Sequence, residues 1–397
     1  MTSTKKSKWT TSGTQILKNG TAQFLKGVCY APTPCGAATY APGVGDWFAA
    51  PWSGIWERDF PLMKAAGIDN IRTYFFWAWT PPSNMTTWKT VTSGPPTFDH
   101  SGFLDAAEAH GISVTIGIAL DGGNVFDNPS SSLGADYLAF YKATAQKLAE
   151  QYGDHPAVMG FCIANEQNNP SRIVTTKFWD GLNTIANAVK SNAPDKLVMM
   201  AMQNDTPAMY TAKVGDTDTS SPFAGLTVPA CFAQIFDVWG VNIYSGMKGS
   251  LTAYNTNVVK TSNALPLIVS EWGIPAANKQ GQLTPSEFTA SIDGTMKPQG
   301  QEMKDNVSFV AGAQYFEWTD EWWKGSGGAT PWEHNLPTSN EWPEEWWGLN
   351  SIAPVGRTAK DGPWDTKENK PYPPDKLTAR PTLAALTSIY AGITPNS

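Results

Sequence analysis

Two glutamates, Glu166 and Glu271, each directly follow a short apolar run. The first run is Ala-Val-Met-Gly-Phe-Cys-Ile-Ala, before Asn165 and Glu166, and the second is Pro-Leu-Ile-Val-Ser, before Glu271. Runs of this length that are rich in Val and Ile and bounded by Gly and Pro are typical of buried parallel strands. A carboxylate at the end of such a strand is costly to desolvate, so we expect it to have a chemical task. In a barrel of strands and helices that task is catalysis.

Two carboxyl groups in one site can together catalyse the cleavage of an acetal. One group must be protonated to assist the departing oxygen, and the other must be ionised to attack or stabilise the anomeric carbon. Polar and aromatic residues follow the other apolar runs, and we expect them to share one cleft with the glutamates: Tyr30, Arg72, Asp121, Asn165, Gln203, Asn204, Asn242, Tyr244 and Trp318.

Structural explanations for some of these residues remain open. Glu166 could cap a helix, and Glu271 could pair with a structural arginine. Arg72 could bind core carboxylates. Asp121, with Asn124 and Asp127, could bind sugar, but Asp-Gly-Gly-Asn is also ordinary turn sequence.

Eight apolar runs alternate with helical patterns along the chain. The pattern predicts strands over 24–30, 69–74, 112–120, 157–164, 197–202, 238–243, 267–270 and 311–318. It predicts helices over 55–66, 99–110, 136–152, 176–191, 251–262, within 285–307, and over 380–390. This alternation indicates an α/β fold with a parallel sheet. No Gly-x-Gly-x-x-Gly follows the first strand, which argues against a dinucleotide-binding fold.

The long insertions follow six of the predicted strands, whereas the connections from helix to strand are short. Loops enlarged on that one side are typical of the active face of a (β/α)8 TIM barrel. With no disordered linker and no internal repeat, we predict a single catalytic domain over 1–397. Its barrel core would cover about 24–350, and residues 351–397 would form a wrapping segment and the last helix.

The charge and the chemistry-bearing residues exclude several classes of protein. A net charge of -7 and a pI of about 5.2 argue against nucleic acid and anionic membranes as partners. Apolar runs such as 112–120 are far shorter than the roughly 20 residues that span a bilayer. The histidines form no cluster and the cysteines form no CxxC pair, so we predict no metal and no cofactor. Cys29 and Cys35 could be bridged. We expect a monomer.

The N-terminus leaves the localisation open. Met-Thr-Ser-Thr-Lys-Lys-Ser-Lys carries positive charge but precedes no apolar segment of the kind found in an export signal. The protein is therefore either cytoplasmic or secreted with its signal removed.

Tryptophan is unusually frequent, with 18 residues, whereas charged residues make up only 16% of the chain, against about 25% in average proteins. Many tryptophans lie in loop-like segments: Trp47, Trp52, Trp79, Trp88, Trp322, Trp323, Trp332, Trp342, Trp346 and Trp347. Indole rings on a neutral background suit stacking on a sugar ring. The alternative is that they only pack long loops against the barrel.

Four of these strand ends also carry a resemblance. Ile-Ala-Asn-Glu at 163–166, Val-Asn-Ile-Tyr at 241–244, Val-Ser-Glu-Trp-Gly at 269–273 and Gln-Tyr-Phe-Glu-Trp at 314–318 resemble the signature of the clan A glycoside hydrolases. The matches cover strands four to eight in order, and Arg72 adds a match on strand two. The resemblance implies a retaining enzyme on a (β/α)8 barrel.

The resemblance also implies roles for the matched residues. Glu166 would be the general acid/base and Glu271 the nucleophile that forms a glycosyl-enzyme. Asn165 would bind the 2-hydroxyl of the sugar, while Tyr244 and Arg72 would support Glu271. The remaining predicted substrate-binding residues are Trp318, as the floor beneath the reacting sugar, Asn242 and Asp121. Retention would require carboxyl groups about 5–5.5 Å apart.

Position 242 departs from the pattern, because many cellulases of the clan have His where this chain has Asn. The sequence therefore assigns no family within the clan. Three functions remain open: a retaining hydrolase of a neutral β-linked polysaccharide, with β-glucan first, a β-glucan transglycosylase with the same two glutamates, and a non-catalytic carbohydrate-binding barrel. The presence of both glutamates argues against the third.

Overall fold

The computed structural model describes residues 6–36, 47–74, 76, 99–118, 134–204, 207–215, 219–324, 333–336, 343–355 and 374–395. Eight parallel strands close into a barrel: β1 Leu25–Cys29, β2 Asn70–Arg72, β3 Ser113–Gly117, β4 Val158–Asn165, β5 Leu197–Gln203, β6 Val238–Asn242, β7 Leu267–Trp272 and β8 Val310–Tyr315. Pairing of β8 with β1 closes the ring. The predicted (β/α)8 TIM barrel is confirmed.

The helices between the strands begin and end where their sequences signal it. They are α1 Ser53–Ala65, α2 Ser101–Ala109, α3 Gly134–Tyr152, α4 Thr176–Asn192, α5 Val228–Ile235, α6 Met247–Tyr254, α7 Pro285–Ser291, α8 Lys297–Asp305 and α9 Pro381–Ala391. Thr284 and Glu287 form a capping box at the start of α7. Gly67 and Gly111 follow α1 and α2 with φ of +75° and +72°, a conformation that glycine adopts without steric cost. Helix α5 is an addition to the predicted elements.

An N-terminal meander packs against the barrel at the end where the strands begin. Its strands are Trp9–Ser12, Gln15–Lys18 and Thr21–Gln23. Trp9 and Ile16 join one apolar cluster with residues of the barrel interior: Leu25, Met159, Leu197, Met199, Ala201, Val238, Ile268 and Ala311. The Trp9 amide donates to the carbonyl of Asp195, just before β5. This end is therefore plugged by side chains, which leaves the opposite end for a site.

The last helix fastens the ring, as its sequence pattern predicted. The Tyr390 hydroxyl donates to the carbonyls of Gly27 and Ala313, at 2.6 and 2.9 Å, and so bonds to both β1 and β8. Before it, Asn350–Ala353 and Lys376–Ala379 pair as an antiparallel ribbon. Most of the predicted wrapping segment lies outside the described residues. None of the helices among the described residues is long and apolar enough to cross a bilayer.

Candidate active site

The strands bring the predicted site residues to one end of the barrel. Arg72 ends β2, Asn165 ends β4 with Glu166 next in the chain, Asn242 ends β6, and Glu271 lies near the end of β7. Hydrogen bonds link these five side chains directly. Glu166 has a φ of +54°, which is uncommon for a residue with a side chain. Its backbone amide still donates to Ala201 on β5, at 2.8 Å, so this conformation is fixed by the sheet.

Glu271 accepts three hydrogen bonds from side chains and is 5% exposed. Arg72 Nη1 and the Tyr74 hydroxyl donate to Oε1, at 3.0 and 2.7 Å, and the Tyr244 hydroxyl donates to Oε2 at 2.7 Å. Burial, reinforced by nearby anionic groups, raises the pKa of both phenols well above the usual value near 10. Both tyrosines therefore remain donors over the whole physiological pH range.

Arg72 and Asn242 connect the two glutamates through Asn165. Arg72 is 1% exposed, and its Nη2 donates to Asn165 Oδ1 at 2.7 Å. Asn242 Nδ2 donates to Asn165 Oδ1 at 3.1 Å and to Glu166 Oε1 at 2.9 Å. Asn242 Oδ1 accepts from the Ser270 hydroxyl at 2.8 Å. The side chains around the glutamates therefore form one connected hydrogen-bond network.

The aromatic surface beside this network comes from Phe316 and Trp347. Phe316 packs edge-on against Tyr74 and Tyr244, with ring centroids 6.4 and 6.1 Å apart, and Trp347 lies 4.8 Å from Tyr244. Trp318 is 1% exposed and belongs to the main apolar core instead. The rings next to the tyrosines that bind Glu271 are therefore those of Phe316 and Trp347, whereas Trp318, predicted as the floor beneath the sugar, is packed in the core.

Other predicted residues do not join the network. The Tyr30 hydroxyl donates to Asp59 on α1 at 2.9 Å, and Tyr30 is fully buried there. Asp121, Asn124 and Asp127 lie outside the described residues.

The loop tryptophans differ in how far they are buried. Trp47 and Trp52 are buried and pack edge-to-face on each other at 4.4 Å, which supports the packing explanation for these two. Trp322 and Trp323 are partly exposed. Trp346 and Trp347 are buried. The remaining loop tryptophans lie outside the described residues: Trp79, Trp88, Trp332 and Trp342.

A cluster of buried carboxyl groups lies directly behind Phe316. It consists of Glu317, Asp320, Glu321 and Glu345, each at most 2% exposed. Burial raises the pKa of Asp320 to about 6, that of Glu345 to about 7, and that of Glu317 well above its usual range. Arg380 binds both Asp320 oxygens at 2.5 Å. Lys324 pairs with Glu321, and its Nζ lies 4.6 Å from the centre of the Phe316 ring.

One group within the described residues brings three potential metal ligands together, namely Asp105, Glu108 and His155. It lies on α2 and just before β4, away from the glutamate network. His155 Nδ1 accepts the amide of Ala157 at 3.2 Å, so Nε2 carries a proton in the neutral ring and donates to Asp105 at 3.1 Å. A metal bound at Nε2 would require the ring proton on Nδ1 instead, where it would oppose the Ala157 amide. The four cysteines, including Cys29 and Cys35, are free and buried.

Sequence reasoning missed Tyr74, Ser270, Phe316 and Trp347. Tyr74 follows Arg72 by two residues, and residues two apart on an extended chain point to the same side, so the strand period could have indicated it. Ser270 and Phe316 stand inside motifs that were already recognised. Trp347 comes from a loop, and no local pattern places it.

Comparison with known proteins identifies the family. The family model described as Cellulase (glycosyl hydrolase family 5) matches residues 36–297, about two thirds of the chain. No curated protein matches the sequence.

Solved structures with a similar fold include glycosidases. A β-glucuronidase from Ruminococcus gnavus, in complex with C6-substituted uronic isofagomine, has a TM-score of 0.60 at 13% identity, over 97% of this chain and 52% of that chain. A β-glucuronidase from Lactobacillus rhamnosus has a TM-score of 0.59 at 14% identity, over 97% and 52%. A GH2 β-galacturonidase from Eisenbergiella tayi bound to galacturonate has a TM-score of 0.57 at 16% identity, over 98% and 55%.

The chain spans about half the length of these solved structures, and identities this low show a shared fold alone. The family model is more informative because it matches well over half of the chain in sequence. It also supplies the assignment that Asn242, in place of the expected His, had prevented. Among the clan A glycoside hydrolases that the strand-end motifs resembled, this chain belongs to glycosyl hydrolase family 5.

Proposed function

We propose that this protein is a retaining glycoside hydrolase that cleaves β-glycosidic bonds in a neutral polysaccharide or oligosaccharide, with β-glucan as the first candidate. The observation that carries the proposal is the unequal setting of the two glutamates. Glu271 accepts from a guanidinium and two phenols, and the neutral amide of Asn242 is one of the groups that contact Glu166. Environments that differ in this way are how one site supplies both a base and an acid.

Glu271 is suited to act as the nucleophile. A carboxylate can accept several hydrogen bonds, and the cation Arg72 favours its ionised form. In the first step an oxygen of Glu271 attacks the anomeric carbon as the glycosidic C–O bond breaks, and Glu166 gives its proton to the departing oxygen. In the second step Glu166 takes a proton from water, and the water oxygen displaces Glu271 from the anomeric carbon. A separation of about 5–5.5 Å between the carboxyl groups remains a prediction of this mechanism.

The charges near the site favour an uncharged sugar. The guanidinium of Arg72 is buried and bonded to Glu271, Asn165 and the Ser270 carbonyl. The ammonium of Lys324, near Phe316, pairs with Glu321. Within the part of the site that the structure describes, neither of these two cations is available to a substrate carboxylate, which supports a neutral sugar over a uronide. Phe316 and Trp347 pack with Tyr74 and Tyr244 in one apolar cluster beside the glutamates.

The catalytic pair is tested by Glu271→Gln and Glu166→Gln. Each variant should lose at least about a thousandfold in kcat on the natural substrate, the scale expected when a catalytic group is removed. Thermal unfolding should remain cooperative, because Gln fills the same space. Glu57→Gln, an exposed position on α1, is the matched control and should behave as wild type. Near-wild-type turnover in either catalytic variant contradicts the assignment.

The substrate is tested by product analysis over neutral β-glucans and β-mannans, with aryl β-glucuronides alongside. Shorter products from a neutral substrate, with retained anomeric configuration by NMR, support the proposal. Products longer than the substrate would make the enzyme a transglycosylase with the same two glutamates. Faster turnover of the glucuronides than of any neutral glycoside contradicts the assignment of a neutral substrate.

A further inference from the structure

Asn242 was predicted to bind substrate, but the protein itself uses both ends of its amide. Asn242 is 2% exposed. Its Nδ2 carries two hydrogens, and these have two acceptors, Asn165 Oδ1 at 3.1 Å and Glu166 Oε1 at 2.9 Å. Its Oδ1 accepts the Ser270 hydroxyl at 2.8 Å. The amide therefore acts on Glu166 rather than on a sugar.

Arg72 fixes the donor and the acceptor in each hydrogen bond that links Asn165, Asn242 and Ser270. A guanidinium only donates, so the atom of Asn165 that lies 2.7 Å from Arg72 Nη2 must be the carbonyl oxygen. The atom of Asn242 that faces this oxygen must then be the nitrogen. The oxygen of Asn242 consequently faces Ser270, whose hydroxyl must donate. The amide cannot flip without breaking three hydrogen bonds.

This fixed direction has a consequence for the proton of Glu166. Oε1 faces an N–H group that can only donate, so Oε1 must accept; the carbonyl-type oxygen of a protonated carboxyl is the better acceptor, which places the acid proton on Oε2. We propose that Asn242, locked by Ser270, is a positioning residue that confines the catalytic proton of Glu166 to Oε2. The inference rests on the proposed role of Glu166 as general acid. A histidine at position 242 could donate or accept according to its tautomer, whereas the amide offers one arrangement only.

The proton transfer is then specified atom by atom. In the first step the Oε2–H proton moves to the glycosidic oxygen while the bond from that oxygen to the anomeric carbon breaks and the bond to Glu271 forms. In the second step Oε2 recovers a proton from the attacking water. Throughout both steps Oε1 keeps the hydrogen bond from Asn242, which holds the carboxyl plane in place.

Leaving-group dependence separates positioning of an acid from binding of a sugar. A 2,4-dinitrophenyl group leaves without protonation, whereas a phenyl group needs the acid. We expect Asn242→Leu to lose about ten- to hundredfold in kcat/KM on phenyl β-glycosides of the preferred sugar, and less than about threefold on the dinitrophenyl glycosides. Because Asn242 donates to the ionised carboxylate, its loss should also move the alkaline limb of kcat/KM to higher pH.

Ser270→Ala provides a second, milder variant in case Asn242→Leu does not fold. It removes only the hydroxyl that fixes the amide, so we expect a smaller loss in the same direction, again selective for the poor leaving group. Asn70→Ala is the matched control, because Asn70 is also a fully buried barrel amide, bonded to Ser113 and Gln314. It can lower stability, but the ratio of the two substrates should stay at the wild-type value.

The same assay on Glu166→Gln keeps the two proposals distinguishable. Glu166→Gln could lower kcat/KM mainly on the phenyl glycosides while Asn242→Leu and Ser270→Ala lower kcat/KM equally on both substrates. In that case the positioning role is wrong and the acid assignment stands. If Glu166→Gln itself shows no selectivity, Glu166 is not the general acid, and both proposals fall. Selective losses in all three variants support the inference.

Discussion

Glu271, the proposed nucleophile, accepts different numbers of side-chain hydrogen bonds at its two oxygens. Oε1 of Glu271 accepts from both Arg72 and Tyr74, whereas the described structure gives Oε2 one side-chain donor, Tyr244. The two tyrosines are thus not equivalent, although both phenols lie at 2.7 Å. Loss of the Tyr74 hydroxyl leaves Oε1 with the hydrogen bond from Arg72. Loss of the Tyr244 hydroxyl removes the one described side-chain hydrogen bond to Oε2.

We therefore expect Tyr244→Phe to lower kcat by about a hundredfold, the scale for loss of a single donor at a reacting oxygen. Tyr74→Phe should lose about tenfold, because the charged hydrogen bond from Arg72 remains. Steady-state kinetics on one substrate with both variants, checked by thermal unfolding, tests the ranking. Equal losses, or a larger loss in Tyr74→Phe, would show that the guanidinium does not compensate at Oε1.

At the same scale, the residues that the sequence could predict lie at a strand end or within two positions after it. Arg72, Asn165, Asn242 and Glu271 converge because parallel strands deliver their last residues to one edge of the barrel. Beyond the strand end, the direction of the backbone is set by tertiary contacts. The motif at 314–318 was recognised because it spans the end of β8. Its sequence did not show that the ring beside the tyrosines belongs to Phe316 and not to Trp318.

Among the elements, the eight barrel strands were predictable because most are short, largely apolar runs that alternate with helical patterns. The N-terminal meander was not, since its strands have three or four residues and include many polar side chains. Helix α5 was missed for the opposite reason. Its eight residues, Val-Pro-Ala-Cys-Phe-Ala-Gln-Ile, are almost all apolar, so they show no helical period against a polar face.

The segment after β8 contains buried carboxyl groups whose ionisation destabilises the folded state. Glu317 is 1% exposed, and its pKa is raised chiefly by burial and further by the charge of Glu321, while Lys324 opposes the shift. A carboxyl group whose pKa is higher in the folded state keeps its proton after the unfolded chain has released it. The free energy of unfolding must then fall as the pH rises above the ordinary value near 4.5.

Glu317→Gln isolates this effect, because an amide can still donate to Glu321 but cannot ionise. We expect the variant and wild type to have similar thermal stability near pH 4.5, and the variant to be the more stable at pH 7 to 8. The gap can grow by at most about 1.4 kcal/mol per pH unit, the limit for one proton. Melting temperatures from pH 4.5 to 8 measure it, with Glu57→Gln as an exposed control. Parallel curves for Glu317→Gln and wild type would mean that Glu317 ionises as freely in the folded protein as in the unfolded chain.

The molecule as a whole combines an excess of negative charge with a site whose cations are already paired. The net charge is -7, and the meander plugs the end of the barrel where the strands begin. The substrate that we propose, a neutral polysaccharide or oligosaccharide, would therefore approach the end that carries Glu166 and Glu271. Among the described residues around that end, Arg72 is buried against Glu271 and Lys324 is paired with Glu321, so neither of these two cations adds an unpaired positive charge to the field there.

This arrangement predicts how ionic strength affects the rate on charged and uncharged substrates. For a neutral soluble β-glucan, kcat/KM should be unchanged between 0.01 M and 0.5 M salt, because an uncharged chain is not steered by the field. A carboxymethylated glucan should react more slowly at low salt and recover as salt rises, since the Debye length falls from about 30 Å at 0.01 M to about 8 Å at 0.15 M. A hydroxyethylated glucan of equal substitution controls for the bulk of the substituent. Faster cleavage of the carboxymethylated polymer at low salt would reveal a cationic subsite, and the preferred substrate would then be an acidic rather than a neutral polysaccharide.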